Sequence, residues 1–443
     1  MSRVAVVGAG VSGLTAAWRL QRLGHQVVVL EGAARAGGEL ACAPVAGVDV
    51  DTGAEAFLVT RPEAAELCAE LGLVLQHPTG AKPAVVQRGG LVPLPAGTLL
   101  GVPTELRATR ELLGLLGTAR AALDLLLPAG AAEADPALGR LLRRRLGDRV
   151  ADRLVEPLLG GVYAGRADEL SAAATLPLLA TARGSVIRAA RAARQPRRAG
   201  SPVFGAPHGG VGALARALAE RVTVRLGEPV RDLAVLRGAH DAVVLAVPAP
   251  AARRLLTPVV SAAADLAAQV PYASVAVVSL ALDRAAAGRL ADPGLSGWLV
   301  PPSEGLLHKG LTVSSSKWAA MRDAAPDTVL VRASVGRDGE EATLARSDRE
   351  LVGVVAAEAT ALARAHGGLL DARVTRWGGA LPQYRPGHLD RVQELRQLLP
   401  PGVVLCGAAW DGVGVPACVA SATRAARDVD AWLRDDGERD RHT

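Results

Sequence analysis

The chain has 443 residues, half of them hydrophobic and a fifth charged, which suits a globular protein of roughly two to four domains and excludes a disordered one. Its net charge is +6, yet aromatics make up only 2 %, so the basic excess points to small anions or solubility and not to base stacking on nucleic acid. No apolar run is long enough for a membrane-spanning helix, and Met1-Ser2-Arg3 leads directly into a strand-like segment, so neither a span nor a leader is expected. Only three residues are lysine (Lys82, Lys309, Lys317) and Ile187 is the single isoleucine, a skew typical of a GC-rich bacterial genome. Cys42, Cys68, Cys406 and Cys418 form no close pair and no metal-ligand spacing, so they read as reduced, buried thiols of a cytoplasmic protein with no metal site.

Val4-Ala5-Val6-Val7 has the pattern of a short buried strand. It runs into Gly8-Ala9-Gly10-Val11-Ser12-Gly13 and then a helical stretch to Leu20. A second strand, Val27–Leu30, ends at Glu31, 18 residues beyond Gly13. This is the dinucleotide-binding fingerprint in its strand–turn–helix–strand context. Gly8 permits the tight turn, Gly10 lets a pyrophosphate approach the backbone, and Gly13 lets helix and strand pack closely. The N–H groups around Val11 and Ser12 open a helix whose positive dipole end suits phosphate. Glu31 would accept hydrogen bonds from ribose hydroxyls and repel a 2′-phosphate.

After Gly32, the segment Arg35-Ala36-Gly37-Gly38 resembles the R-x-G-G turn of FAD-dependent oxidoreductases of the amine oxidase superfamily, which continues phosphate binding. Those proteins usually carry Arg or Lys after the second glycine; this chain has Glu39. Asp51-Thr52-Gly53-Ala54-Glu55-Ala56-Phe57 is similar to the superfamily's D-x-G-x-(E/D)-x-F stretch, which places Gly53, Ala54 and Glu55 beside the flavin.

Further along, Leu99 to Gln195 reads as mostly helical. Arg145, Arg149 and Arg153 fall at i, i+4 and i+8, and Arg188, Arg191 and Arg194 recur every third residue before Arg197 and Arg198. Both sets read as solvated helix faces, with anionic lipid or propionate steering as the alternative. Strands near Arg221–Val224 and Asp241–Pro248 return to the dinucleotide domain; in related flavoproteins the position of Val230 contacts adenine through its backbone. Short β-rich runs, Ser274–Leu282 and Val329–Val335, alternate with helices between 253 and 375. Val403–Cys406 reads as a buried strand, Gly407 as its turn, and a helix starts near Pro416. That helix would aim free N–H groups at the flavin pyrimidine edge, where reduced flavin carries negative charge.

The longer matches are similar to the flavin-dependent porphyrinogen oxidases. Gly90–Thr98 resembles their substrate-side loop, Pro157–Gly165 their P-x-x-x-G-(I/V)-Y-A-G signature with Asp168-Glu169-Leu170-Ser171 after it, and Leu381–His388 their L-P-Q-Y-x-x-G-H segment. Gly407–Ser421 resembles their C-terminal flavin motif, which adds Gly407, Trp410, Gly414, Val415 and Pro416 to the flavin contacts. Two departures, Ser296-Gly297-Trp298 before Leu299-Val300-Pro301 and Trp410 in place of a common Tyr, bear on substrate fit.

The resemblance implies an α/β fold. A discontinuous Rossmann-type FAD-binding domain (1–80, 203–252, 376–435) would carry a mostly helical insertion (81–202) and an α+β substrate domain (253–375), with 436–443 a frayed tail. It implies FAD-dependent oxidation of coproporphyrinogen III to coproporphyrin III, with O2 consumed and H2O2 released, in haem biosynthesis. Protoporphyrinogen IX is the alternative substrate; another FAD enzyme of the superfamily and a non-catalytic porphyrin carrier are further readings. Hand-off to a ferrochelatase and at most peripheral membrane contact belong to the same expectation. No side-chain nucleophile is needed, and catalysis would be positioning. Arg61, Lys317 and Arg385 are the candidate propionate partners. Tyr384 and His388 read either as cavity-lining groups or as a buried Tyr and a core His.

Overall fold

The computed structural model describes residues 1–128, 133–182, 184–193 and 201–439, except for the side chains of 436–439. Arg3–Val7 is a strand at the centre of a five-stranded parallel sheet, ordered 223–226, 26–31, 3–7, 242–245, 403–405. A parallel sheet is covered on both faces, and the period of two shows it directly. Val4 and Val6 pack with Leu14, Leu214 and Val419, whereas Ala5 and Val7 pack on the other face with Leu233, Leu255 and Leu405. The second of these layers includes the helices Ala249–Leu256 and Ser261–Ala268. The domain limit expected at 252/253 thus falls inside a helix that packs under the parallel sheet.

A seven-stranded mixed sheet forms the second layer system, ordered 369–382, 272–283, 328–335, 308–313, 295–299, 82–87, 90–93. The helix Asp348–Ala363 covers it through Leu351, Val355 and Ala359, and opens with a Ser347/Glu350 capping box. Two expectations are corrected here. Residues 82–93, assigned to the helical insertion, form a hairpin of this sheet, turned at Arg88 and Gly89, both at positive φ. The hairpin joins through parallel pairing with Leu295–Leu299, some two hundred residues away, which no local pattern reveals. The limit at 375/376 falls within the strand Leu369–Pro382.

Trp298, expected to bear on substrate fit, lies instead in the core of this sheet. Its indole N–H donates to His308 Nε2 at 2.9 Å, so the imidazole proton sits on Nδ1 and donates to Glu358 at 2.6 Å. Gly297 beside it is required by close packing, since a Cβ there would lie 2.0 Å from the Leu311 carbonyl oxygen.

The helices Arg110–Ala122, Leu138–Leu146, Glu156–Tyr163 and Val186–Ala193 enclose a third core that includes the fully buried Ile187. The first arginine set is only in part a solvated face: Arg149 is exposed and Arg153 half-buried, but Arg145 is buried. Gly147 (φ +87) ends the helix after Arg145, so Arg145, Arg149 and Arg153 do not share one continuous α-helix. Arg145 is buried and donates from Nε to Asp124 at 2.6 Å; Asp124 also accepts from Ser185 Oγ and the Ile187 N–H. Gly114 breaks the helix Arg110–Ala122 at φ +70, which frees two carbonyls just before it. Arg153 donates to the carbonyl of Leu112 at 2.8 Å and Arg149 to that of Leu113 at 3.0 Å. Arg188 and Arg191 likewise reach the carbonyls of Leu125 and Thr104, while Arg194, Arg197 and Arg198 lie outside the described residues.

The last described element is the helix Val415–Arg439, so 436–439 of the tail expected to fray are helical, and 440–443 lie outside the described residues. Among the described residues no helix is long and apolar enough to cross a membrane.

Asp124→Ala strands the Arg145 guanidinium in the helical core, and breaking one side of a buried pair costs about 3–5 kcal/mol. Thermal unfolding is expected to show a lowered midpoint for D124A, with D148A, at an exposed partner of Arg143, close to the parent.

Candidate active site

The turn between the first strand and the first helix is shaped by close approach. A Cβ on Gly13 would lie 1.9 Å from the Gly8 carbonyl oxygen, and Gly8 itself sits at φ +100 against Ala246. Gly10 is different: a Cβ there would meet nothing within 4 Å, so the residue faces open space. Gly10 also begins the helix Val11–Arg22 without a side-chain cap, and the first turn holds no acidic residue. The N–H groups near Val11 and Ser12 thus keep their dipole end uncompensated, the arrangement that receives an anion. The next turn folds against this one: Gly37 N–H donates to the Ala9 carbonyl at 2.8 Å, and Gly38 adopts φ +55 beside Gly10.

Glu31 ends its strand with one carboxylate oxygen on the Ala9 N–H at 2.6 Å and the other on the Ala33 N–H at 2.8 Å. It holds the glycine turn in place, and a carboxylate has lone pairs beyond these two bonds. Gly32 packs against Pro229, which brings Val230 into the same corner. Arg35 donates to the Gly38 carbonyl at 2.6 Å and stands over the Trp377 ring at 5.5 Å.

A second uncapped helix start comes from the C-terminal segment. Gly407 (φ +116) leads into the short helix Ala408–Asp411, and Gly412 and Gly414 also have positive φ before the helix at Val415 and Pro416. A Cβ on Gly414 would meet nothing within 4 Å, whereas one on Gly407 would lie 3.4 Å from Ser12 Oγ. The two glycine motifs therefore adjoin through Ser12. The turn is braced from behind: Ser421 Oγ accepts the Gly407 N–H at 2.9 Å and donates to Asp411 at 2.5 Å, and Asp411 also takes Arg396 and Arg424, each at 2.8 Å. The Trp410 ring is buried in the layer beneath the parallel sheet with Leu395 and Leu405, so its side chain packs the core. With two free helix starts and two glycine positions open to space, these residues fit a dinucleotide with a diphosphate at one end and a polar ring edge at the other.

The segment 51–55 is held by residues of the mixed sheet. Arg332 donates to the Gly53 carbonyl, Trp377 Nε1 to the Thr52 carbonyl at 2.8 Å, and Ala54 N–H to the Glu39 carbonyl at 3.1 Å. Glu55 is buried; Lys317 Nζ lies 2.7 Å away, Ser314 Oγ 2.9 Å and Arg332 Nη1 3.6 Å. Burial pushes the Glu55 carboxyl up, but Lys317, Arg332 and the hydrogen bonds outweigh it and hold its pKa at about 2. Asp51 accepts the N–H groups of Val211 and Gly212 at a helix start, and burial raises it to about 6 against the pull of Arg332. Arg332 and Trp377 were not among the sequence candidates; nothing in their own neighbourhoods signals the contact with 51–55.

Of the three propionate candidates, Lys317 is engaged by Glu55, and Arg385 pairs with Glu169 at 3.2 Å and Asp338 at 3.3 Å. Arg61 is half exposed, pairs with Glu63 at 2.9 Å, and lies near enough to Tyr163 to oppose the rise to about 12 that burial gives that phenol. Tyr384 is buried with its hydroxyl donating to the Ala408 carbonyl, its carbonyl accepting the Ser171 N–H at 2.6 Å, and its ring stacked 4.3 Å from His388. Gln383 donates to the Tyr163 carbonyl at 2.7 Å, and Asp135 takes both Ser171 Oγ and the Gly387 N–H. The Y-A-G, D-E-L-S and Q-Y-x-x-G-H segments thus meet as one knot behind the flavin turn. Tyr384 and His388 belong to it as structural groups.

Residues 11–430 match the family described as flavin containing amine oxidoreductase. The chain is 40 % identical over 444 residues to the coproporphyrinogen III oxidase of Mycobacterium tuberculosis (strain ATCC 25618 / H37Rv), covering 96 % of each. It is 27 % identical to the chloroplastic protoporphyrinogen oxidase of Nicotiana tabacum, covering 97 % of this chain and 85 % of that one. A crystal structure from Exiguobacterium sp. 255-15, described as a candidate protoporphyrinogen oxidase, superposes with a TM-score of 0.84 at 29 % identity, covering 97 % and 99 % of the two chains. The α/β architecture is that of these flavoproteins, and FAD is the cofactor.

Because the Glu55 pKa is depressed, its contribution is complete above about pH 4.5 and is lost as pH falls toward 2. Free-flavin fluorescence during acid titration is expected to rise in that window. Glu55→Gln, which strands Lys317 and Arg332 together, is expected to release flavin already at neutral pH; identical titrations of the two proteins would remove Glu55 as the clamp.

Proposed function

The chain belongs to the flavin containing amine oxidoreductase family, and from that premise we propose that it oxidises coproporphyrinogen III to coproporphyrin III, using FAD and dioxygen. The observation that carries the reading is the 40 % identity with an enzyme of that name over 96 % of both chains.

When bound, FAD supplies the two-electron acceptor, so that three rounds remove six electrons and six hydrogens from the porphyrinogen while three O2 become three H2O2. The chain's own part is to hold and orient. Tyr384 and Gln383 fix the helical layer to the flavin turn, and Arg332, Trp377 and Lys317 fix the flavin-side segment to the mixed sheet. Both walls are then rigid before substrate arrives, which is what positional catalysis requires.

Coproporphyrinogen carries four propionates and protoporphyrinogen two, so recognition of the former rests on cations. Arg61 is the candidate with its guanidinium half exposed and, among the described residues, Glu63 as its acidic partner, near enough to Tyr163 to act on that phenol. Lys317 serves the flavin side through Glu55 and is withdrawn from the substrate role. Hand-off of the product to a ferrochelatase and a cytoplasmic setting are part of the same proposal; the four free cysteines suit a reducing compartment.

The test is oxidation of both porphyrinogens side by side, followed by porphyrin fluorescence with peroxide measured. Coproporphyrinogen is expected to turn over faster, with three peroxides per porphyrin. Faster turnover of protoporphyrinogen at low concentration would reverse the assignment. Arg61→Ala is expected to raise the coproporphyrinogen KM by about tenfold with kcat little changed, the pattern of a lost ground-state contact.

A further inference from the structure

A cavity of about 240 Å³ lies beside Asp411 and Ser421, the pair that braces the turn at Gly407. Three elements enclose it: the end of the helix His388–Gln397, the strand Val403–Leu405 at the edge of the parallel sheet, and the helix Val415–Arg439. Ser421, Arg424, Ala425 and Asp428 recur at intervals of three and four, so they share one face of that last helix. Leu399 and Val404 join Ala425 as an apolar wall. The volume is below the roughly 300–1,000 Å³ of drug-sized pockets, which limits the occupant to a small metabolite.

Two cations line the cavity. The side chains of Arg396 and Arg424, 41 % and 53 % exposed, each place Nη2 2.8 Å from the buried Asp411 carboxylate. A guanidinium carries five N–H donors, and among the described residues neither arginine has a further acceptor. Asp411 has no such reserve, because the two arginines and the Ser421 hydroxyl occupy its oxygens. A second acid lies one helical turn beyond Arg424, about 6 Å along the axis: Asp428 is exposed, and among the described residues no cation pairs with it. Spare cationic donors, an unpaired carboxylate and a hydrocarbon wall thus stand side by side. A plain anion would be opposed by Asp428, and a plain cation by the two arginines. A zwitterion with an apolar side chain satisfies all three.

We propose that this cavity binds a small aliphatic α-amino acid, with its carboxylate on Arg396 and Arg424, its ammonium at Asp428 and its side chain against Leu399, Val404 and Ala425. The site is separate from the one that takes the porphyrinogen. Its occupant draws on the same guanidiniums as Asp411, and Asp411 holds Ser421 Oγ, which accepts the Gly407 N–H at 2.9 Å. Occupancy is therefore felt at the flavin turn, and by linkage the amino acid and the cofactor change each other's affinity by one factor. This second part rests on FAD being held at that turn.

Calorimetric titration of the flavin-loaded protein with L-leucine, with flavin absorption followed in parallel, tests both parts. A saturable heat at millimolar leucine is expected, with a change in the visible flavin spectrum at the same midpoint. Arg424→Gln is expected to raise the Kd about tenfold both for leucine and for isocaproate, which lacks the ammonium. Asp428→Asn, at an exposed position, is expected to raise it about tenfold for leucine alone. No saturable heat in the parent protein, or an unchanged leucine Kd in either variant, overturns the site. A saturable heat with an unmoved flavin spectrum overturns its link to the turn. A protein that holds no flavin overturns the FAD reading, and the heat alone then decides the site.

Discussion

Glu55 lies where the parallel and mixed sheets come together, and its buried carboxylate is gripped by Lys317, Arg332 and Ser314 from the substrate side. A lone ionised carboxylate in that place would be far too costly to desolvate. Its three partners come from the mixed-sheet half of the molecule, so the segment 51–55 takes its shape only when both halves are assembled. The backbone of that segment is held in the same way, by Arg332 at Gly53 and Trp377 at Thr52. The shape of the segment 51–55 is consequently set by the mixed-sheet half, which ties the relative placement of the two halves to one buried charge.

A second junction does the same work with a network of backbone and side-chain hydrogen bonds. Gln383, Tyr384 and Gly387 are bound to Tyr163, Ser171, Ala408 and Asp135, which come from the helical layer and the flavin turn. The chemistry-bearing look of Tyr384 and His388 is misleading in isolation, because the hydroxyl is already donated and the imidazole is stacked in the core. For a reaction whose electron chemistry belongs to the cofactor, a protein that mainly holds walls in register is sufficient.

Three arginines of the helical layer spend their donors on the fold. Arg145 satisfies Asp124 and nearby carbonyls together, and Arg149 and Arg153 cap carbonyls released by the break at Gly114. A planar guanidinium with five donors can serve several acceptors from one side chain, which an ammonium on a flexible stem does less well. Spacing every fourth residue assumed an unbroken helix; Gly147 interrupts it, and Arg145 is buried while Arg149 stays exposed.

What the sequence by itself determined is local and glycine-marked. The first strand, the turn Gly8–Gly13, the strand ending at Glu31 and the turn from Gly407 to Pro416 were all legible, because each is set by steric demands between near neighbours in the chain. The longer motif matches carried the family for the same reason. Only the tertiary structure decided where Lys82–Pro93 pairs, that Trp298 and Trp410 are core, that Lys317 is bound to Glu55, and that Arg332 and Trp377 hold the flavin-side segment. The pairing of Lys82–Pro93 and the contacts of Lys317, Arg332 and Trp377 join residues more than two hundred positions apart, and a partner across such a distance depends on how whole sheets pack, which no periodicity within a strand or helix encodes.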